Sequence, residues 1–213
     1  MSIVLRKLYF TIRNIYYGQI LSRIVKIFLQ CLGVTVGSNF YARAFPSVVM
    51  DGQSSISFGD DVILKGAVEI RSINGAFVHF EDDVRLDVGV RIVATNASTV
   101  RFCLGSDIGC YSIFNCGDDF EIGSFALVAG FCYFQTSDHK TSKGVNIKDQ
   151  GYVHKSIRIG SDCWIGGGSF VLGGANLENG VVVGANSVVT ASFSQDSIII
   201  GSPAKFIRKR LVK

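Results

Sequence analysis

Val153 to Val189 reads in sixes as VHKSIR, IGSDCW, IGGGSF, VLGGAN, LENGVV and VGANSV, with Val189 opening the next block. An aliphatic residue stands at 153, 159, 165, 171, 177, 183 and 189, and four positions into each block stand Ile157, Cys163, Ser169, Ala175, Val181 and Ser187. A period of six is neither the two of a half-buried strand nor the 3.6 of a helix. It is an internal repeat. One obligatory inward aliphatic, one tight inward position and Gly or Asn between them suit a parallel β-helix, each hexapeptide making one flat side and a turn. Three hexapeptides close a triangular coil of 18 residues, so residues 18 apart stack at the inter-strand spacing of about 4.8 Å.

The repeat extends upstream and defines a β-helix over 34–190. It begins raggedly at Val36, settles by Ile56 with FGDDVI, LKGAVE and Ile70, and resumes after a short offset as FEDDVR, LDVGVR and IVATNA. From Leu104 it reads LGSDIG, CYSIFN, CGDDFE, IGSFAL and VAGFCY, then Phe134. The register then breaks. Whole coils counted from Phe134 lead to 152, whereas the next block opens at Val153, and the polar QTSDHKTSKGVNIKDQGY between them lacks the repeat. A loop over 135–152 is expected, of a length where an irregular segment usually carries function. It contains His139. Beyond Val189 the pattern runs out, and 191–213 reads as a cap made of a strand and, after GSPAK, a short C-terminal helix.

The composition agrees with one repeat domain plus appendages: 213 residues, 48% hydrophobic, with only two prolines against 24 glycines for the corners. The net charge of +4 is unevenly placed, with no acidic residue before Asp51 and none after Asp196. Six cysteines show no C-x-x-C pair; Cys110 and Cys116 fall at the aliphatic position, Cys132 and Cys163 at the small one, and Cys103 beside inward Phe102. Buried reduced thiols and a cytoplasmic protein are expected. Residues 1–33 read as a basic, apolar helical segment. Charges at Arg6, Lys7, Arg13, Arg23 and Lys26 leave no apolar run near the ~20 residues that span a bilayer. The apolar face of residues 2–32 has two readings: packing on the rod or another subunit, or peripheral contact with the anionic inner face of the cell membrane.

His139 in a loop, followed by IRIGSDCWIGGGSF, VVVGANSVVT and GSPAKFIRKR, resembles the hexapeptide-repeat acyltransferases, and among them the sugar and polysaccharide O-acetyltransferases. The resemblance covers most of 36–210. It implies a mainly β fold, a left-handed parallel β-helix, assembled as a homotrimer with acetyl-coenzyme A in a groove between rods. The loop histidine is then the general base, since a neutral imidazole can take the proton of a hydroxyl as attack begins. The acetyl donor is already an activated thioester, so no metal is implied. By family position the backbone N–H of Gly167 stabilises the oxyanion. Trp164, Gly167, Ala185, Thr190, Lys205 and Arg208 are expected along the coenzyme groove, and Asn115 and Asp119 near the acceptor. Ser202 stands where Asn is commoner before Pro.

The expected activity is transfer of acetyl to a sugar hydroxyl of a surface glycan, with no nucleic acid partner. N-acetylation of a nucleotide-linked amino sugar is the nearest alternative, and a non-catalytic β-helical scaffold a second. Zinc-binding β-helical enzymes use a close H-x4-H pair; here the nearest histidines, His139 and His154, are 15 apart. Serine acetyltransferase, a class with a large helical N-terminal domain, is a less expected reading. His79 and His154 are both expected to point outward.

Overall fold

In the computed structural model, residues 3–211 are described, with side chains from residue 17 onward. Helix α1 (Ile3–Cys31) leads into a parallel β-solenoid whose coils present three sheets, called sides A, B and C in chain order. Among the described residues, sides A and C have seven strands each and side B nine, the last two being the closing hairpin. Stacking the coils lets each strand's N–H and C=O groups bond to the coils on either side, so the backbone is satisfied along the rod.

The coil is not uniform, and this corrects the 18-residue expectation. On side A, Phe58 pairs with Phe80 and Phe80 with Phe102, a spacing of 22 residues. Ile108 pairs with Val128 at 20, and only beyond the loop do Ile159 with Leu177 and Ile165 with Val183 pair at 18. The cause is strand length. From Ser55–Phe58 to Ile113–Cys116 the strands of sides A and C have four residues and two inward side chains each, whereas their late strands have two or three. A wider triangle needs more to fill it. Phe58, Phe80 and Phe102 stack face to face at 4.8 and 5.0 Å between centroids, and Phe114 with Phe134 at 4.5 Å. The late coils are filled by Ile159, Ile165, Val171, Leu177, Val183 and Val189.

The extra pairs shift the register read from Leu104. Leu104 is 40% exposed and Cys110 lies in a turn, while Phe102, Ile108 and Phe114 point inward. Val153, which opens the quoted repeat, is likewise exposed, and the inward run starts at Ile157 and Ile159. Cys116, Cys132 and Cys163 are buried as expected. Burial pushes the Cys163 thiol up to about 11.

Helix α1 covers the first coil with Val25 and Leu29 fully buried. Ser22 Oγ donates to Gly18 O (2.6 Å) and accepts the Ala42 N–H (2.9 Å), and the Tyr41 hydroxyl lies over Gly18. Among the described residues no helix is long and apolar enough to cross a membrane.

The short C-terminal helix does not form. Ala204–Lys209 is instead a strand antiparallel to Ser197–Gly201 on the edge of side B. Ser197–Gly201 offers an edge of unpaired backbone groups, and a strand folding back satisfies them where a short helix would have to bear its own nucleation cost. Arg210 then clamps the hairpin to an earlier coil through Asp162 (2.8 Å), and that carboxylate pushes the guanidinium pKa further up.

Candidate active site

Three features of the C-terminal half hold the candidate groups: an arm, a corner and an outer row. The arm leaves the corner between sides C and A. Ser137–His139 pairs antiparallel with Tyr152–His154, register Ser137 with His154 and His139 with Tyr152. The expected 135–152 loop is thus a hairpin arm with a short 3-10 turn at Ile147–Asp149. Its tip is organised by Gln150, whose Oε1 accepts the Ser142 N–H (2.7 Å) and whose Nε2 donates to Ser142 O and Val145 O (2.9 and 2.8 Å). Its root is organised by buried Thr136. That Oγ1 accepts the Gly117 and Asp118 N–H groups (2.8 and 3.1 Å), while its carbonyl takes the Lys155 N–H (2.8 Å).

His139 is exposed on this arm, its ring 4.4 Å from that of Tyr152. Asp138 pairs with Val153, and alternation along a strand sends it to the opposite face of the ribbon. It is not the group that orients His139. His154 does not stand free: its Nδ1 lies 2.8 Å from Ser137 Oγ. His79 is half-buried, with Nδ1 2.6 Å from Ser57 Oγ.

The corner between sides B and C contains Gly166, Gly167 and Gly168, followed one coil on by Gly184, Ala185 and Asn186. Their stacking is direct: the Asn186 N–H donates to Gly167 O at 2.9 Å. Neither the Gly167 nor the Ala185 N–H has an acceptor among the described residues. Glycine at 166 is required by this stack, since a Cβ there would lie 2.5 Å from Ala185 N. Two main-chain donors about 4.8 Å apart thus line one edge of the rod.

The outer row belongs to side B. Leu127 pairs with Trp164, Trp164 with Val182, Val182 with Ile198, and Ile198 with Arg208. Trp164 is 52% exposed, and Lys205 pairs with Ile200, whose side chain lies against Gly184. Trp164, Gly167, Ala185, Lys205 and Arg208 therefore share one side and its corner. Thr190 lies apart, following Val188–Val189 at the far end of side C.

The two acceptor candidates part company. Asn115 Oδ1 accepts from Arg91 (3.2 Å) and its Nδ2 donates to Tyr133 Oη (2.7 Å), which donates to Gln135 Oε1 (3.0 Å); Gln135 Nε2 reaches Ser137 O (2.5 Å). With Glu69 on Arg91 (3.2 Å), this chain crosses the outer face of side C and ends at the root of the arm. Periodicity gave no signal of it, because outward residues are unconstrained by the repeat. Asp119 sits on side A, where its carboxylate accepts the Thr99 N–H (2.8 Å), an ordinary turn role.

The family described as bacterial transferase hexapeptide (six repeats) matches residues 156–191. A probable acetyltransferase of Mycobacterium tuberculosis is 30% identical over 172 residues, 80% of this chain and 54% of the relative. The chain thus spans about half the length of that relative. The putative lipopolysaccharide biosynthesis O-acetyl transferase WbbJ of Escherichia coli K12 is 28% identical over 167 residues, 78% of this chain and 76% of the relative. Among solved structures, the polysialic acid O-acetyltransferase OatWY has a TM-score of 0.60 at 17% identity, covering 84% of this chain and 90% of that one. A mutant of AntD, an N-acyltransferase from Bacillus cereus, in complex with dTDP and coenzyme A, also has a TM-score of 0.60, at 18% identity, covering 86% and 88%. At those identities the likeness is one of fold. The chain thus carries the bacterial transferase hexapeptide repeat over 156–191 and is similar to acetyltransferases over four fifths of its length.

Proposed function

We propose that the chain is an acetyl-coenzyme A-dependent O-acetyltransferase acting on a sugar hydroxyl of a surface glycan. The observation that carries this reading is the pair of unpartnered main-chain donors at Gly167 and Ala185, on the same corner as exposed Trp164 and the basic closing strand. The donors suit the amides of a pantetheine arm and an oxyanion, and Lys205 and Arg208 suit phosphates. The acceptor hydroxyl oxygen attacks the thioester carbonyl carbon while His139 takes its proton. The tetrahedral oxyanion accepts from the Gly167 N–H. The C–S bond then breaks, and the thiolate leaves with the proton returned by the imidazolium. Base assistance of this kind is worth ~10²–10⁴-fold.

His139 and Gly167 stand at different corners of one rod, with side C between them. A homotrimer resolves this separation, the arm of one copy reaching the B–C corner of the next. Exposed Val145 and Ile147 on the arm supply apolar surface for that contact. The decisive assay is release of free coenzyme A from acetyl-coenzyme A with a panel of cell-surface glycans and nucleotide amino sugars, parent beside His139→Ala. Glycan-dependent release lost in the variant is expected. Release with amino sugars alone assigns N-acetylation instead, and no release from any acceptor, without acetyl-coenzyme A binding, assigns a scaffold.

The same reading puts the enzyme in the cytoplasm at the inner face of the cell membrane. Opposite its buried face, α1 exposes Tyr17, Ile20, Ile24 and Ile27, in a region with no acidic residue before Asp51. An apolar stripe on a wholly basic segment suits anionic lipid. The parent is expected to float with phosphatidylglycerol vesicles, and the Ile20→Ser, Ile24→Ser, Ile27→Ser variant to remain in solution; a parent that does not float refutes the contact.

A further inference from the structure

A cleft beside the arm is not used by the mechanism above. It lies between the arm and side C of the same chain, has a volume of about 410 Å³, and is lined by Thr95, Asn96, Asn115, Gln135, Ser137, Tyr152 and His154 among others. That volume is in the range of small-molecule sites. Its floor is built rather than incidental. Gly117 is buried beneath the Ser137–His154 pair; a Cβ there would lie 2.9 Å from His154 Nδ1 and would collide with Ser137 Oγ. Only glycine lets the pair rest against the rod.

The pair fixes one histidine nitrogen and releases the other. Nδ1 is engaged by Ser137 Oγ at 2.8 Å, while Nε2 has no partner among the described residues. In either tautomer Nε2 can hydrogen-bond a hydroxyl, as acceptor when Nδ1 carries the proton and as donor when it does not. Ser137, His139, Tyr152 and His154 all fall on one face of the ribbon, since cross-strand partners and residues two apart share a face. The Tyr152 ring stands between the two imidazoles, with centroids 4.4 Å from His139 and 6.1 Å from His154. The face that carries the proposed base therefore also carries a stacking ring and a second imidazole.

The charge of the cleft selects its occupant. No Lys, Arg, Asp or Glu lines it, and Arg91, which bonds the lining residue Asn115, is also engaged by Glu69. Amides, hydroxyls and one phenol ring suit a ligand with an apolar ring face and a rim of neutral hydroxyls. A carboxylated sugar or a nucleotide phosphate would find no Lys or Arg in the lining to pair with its charge.

We propose that His154, held by Ser137, is the specificity-determining group of a subsite for a neutral pyranose unit in this cleft, with Tyr152 as its stacking surface. His154 positions the acceptor; His139 does the proton transfer. The subsite rests on the acetyl-transfer reading only for its role in catalysis, and its binding can be measured without transfer. Saturation-transfer NMR on the full chain, without acetyl-coenzyme A, would use methyl glycosides of glucose, galactose and N-acetylglucosamine, with N-acetylneuraminic acid as the charged control. Binding of at least one neutral glycoside but not the acid is expected, weakened about tenfold or more in His154→Ala and partly restored in His154→Gln. Ser137→Ala, which frees the ring without removing it, should give an intermediate loss. In turnover assays His154→Ala should raise the acceptor KM with little change in kcat or in the KM for acetyl-coenzyme A. No binding of any neutral glycoside, preference for the acid, or parent-like binding by His154→Ala overturns the subsite. Neutral, His154-dependent binding with no coenzyme A release from any acceptor leaves the subsite standing and removes the transferase reading; glycan-dependent release with an unchanged acceptor KM in His154→Ala does the reverse.

Discussion

The wide early coils and the narrow late coils do different work with the same fold. In the 22-residue coils the interior is a column of stacked phenylalanines, and the outer face is tied by ion pairs such as Glu69 with Arg91 and Lys65 with Asp107. In the 18-residue coils the interior is Ile, Val and Leu, and the B–C corner is almost bare main chain, Gly166-Gly167-Gly168 below Gly184-Ala185. A β-solenoid is stabilised coil by coil, so one end can be reinforced while the other is thinned to expose backbone. The difference teaches where stability is concentrated and where chemistry is allowed.

Substitutions in the two halves should separate these roles. The largest effect expected is on turnover alone: His139→Ala should lower kcat by ~10²–10⁴-fold while leaving the thermal midpoint unchanged, because the side chain is exposed on the arm. A parallel fall in midpoint would mean that the histidine holds the arm instead. Phe80→Ala should do the converse. It removes a fully buried ring from the middle of the stack and should cost ~3–5 kcal/mol in denaturant unfolding, with kcat unaltered well below the transition. Ile159→Val in a narrow coil removes one methylene from a fully buried position and should cost only ~0.5–1.5 kcal/mol. Ile92→Val, at an equally buried position of a wide coil, is the matched substitution, and equal costs for the two Ile→Val changes would refute a reinforced early half.

The smallest effect compares one thiol from each half. Burial, with the Glu81 and Glu121 carboxylates adding to it, pushes Cys103 up to about 11, and burial does the same for Cys163. Each folded pKa lies above the unfolded value of 9.0, so the stabilisation is complete below pH 9 and is lost as pH rises towards about 11. The midpoint should fall across that window, and Cys103→Ala combined with Cys163→Ala should flatten the fall. An unchanged slope in the double variant would show that other groups set the alkaline limit.

Much of the fold was legible because an inward side chain in a closed coil has no alternative place. Ile165, Val171, Leu177, Val183 and Val189 recur at six since each opens one side of the triangle, and all five are buried. The same logic misplaced Leu104 and Cys110. A strand lengthened by two residues keeps its alternation but moves the count, and one sequence does not reveal whether a block has six residues or eight. Asn115 illustrates a different limit. Its type fits a turn, an acceptor contact or a relay equally well, and only the placement of Arg91, Tyr133 and Gln135 on neighbouring coils distinguishes them.

By itself the sequence determined the repeat, the break that carries His139 and the glycines of the late corner, since each is a local requirement of period, polarity or space. The tertiary structure alone decided the width of each coil, the strand in place of a C-terminal helix, and the meeting of His154 with Ser137, Tyr152 and Gly117. The physical reason is common to all three. They depend on which strand lies against which: partners are 22 positions apart in the wide coils, 17 at the Ser137–His154 pair and 3 to 12 in the closing hairpin, and no pattern of six encodes these pairings.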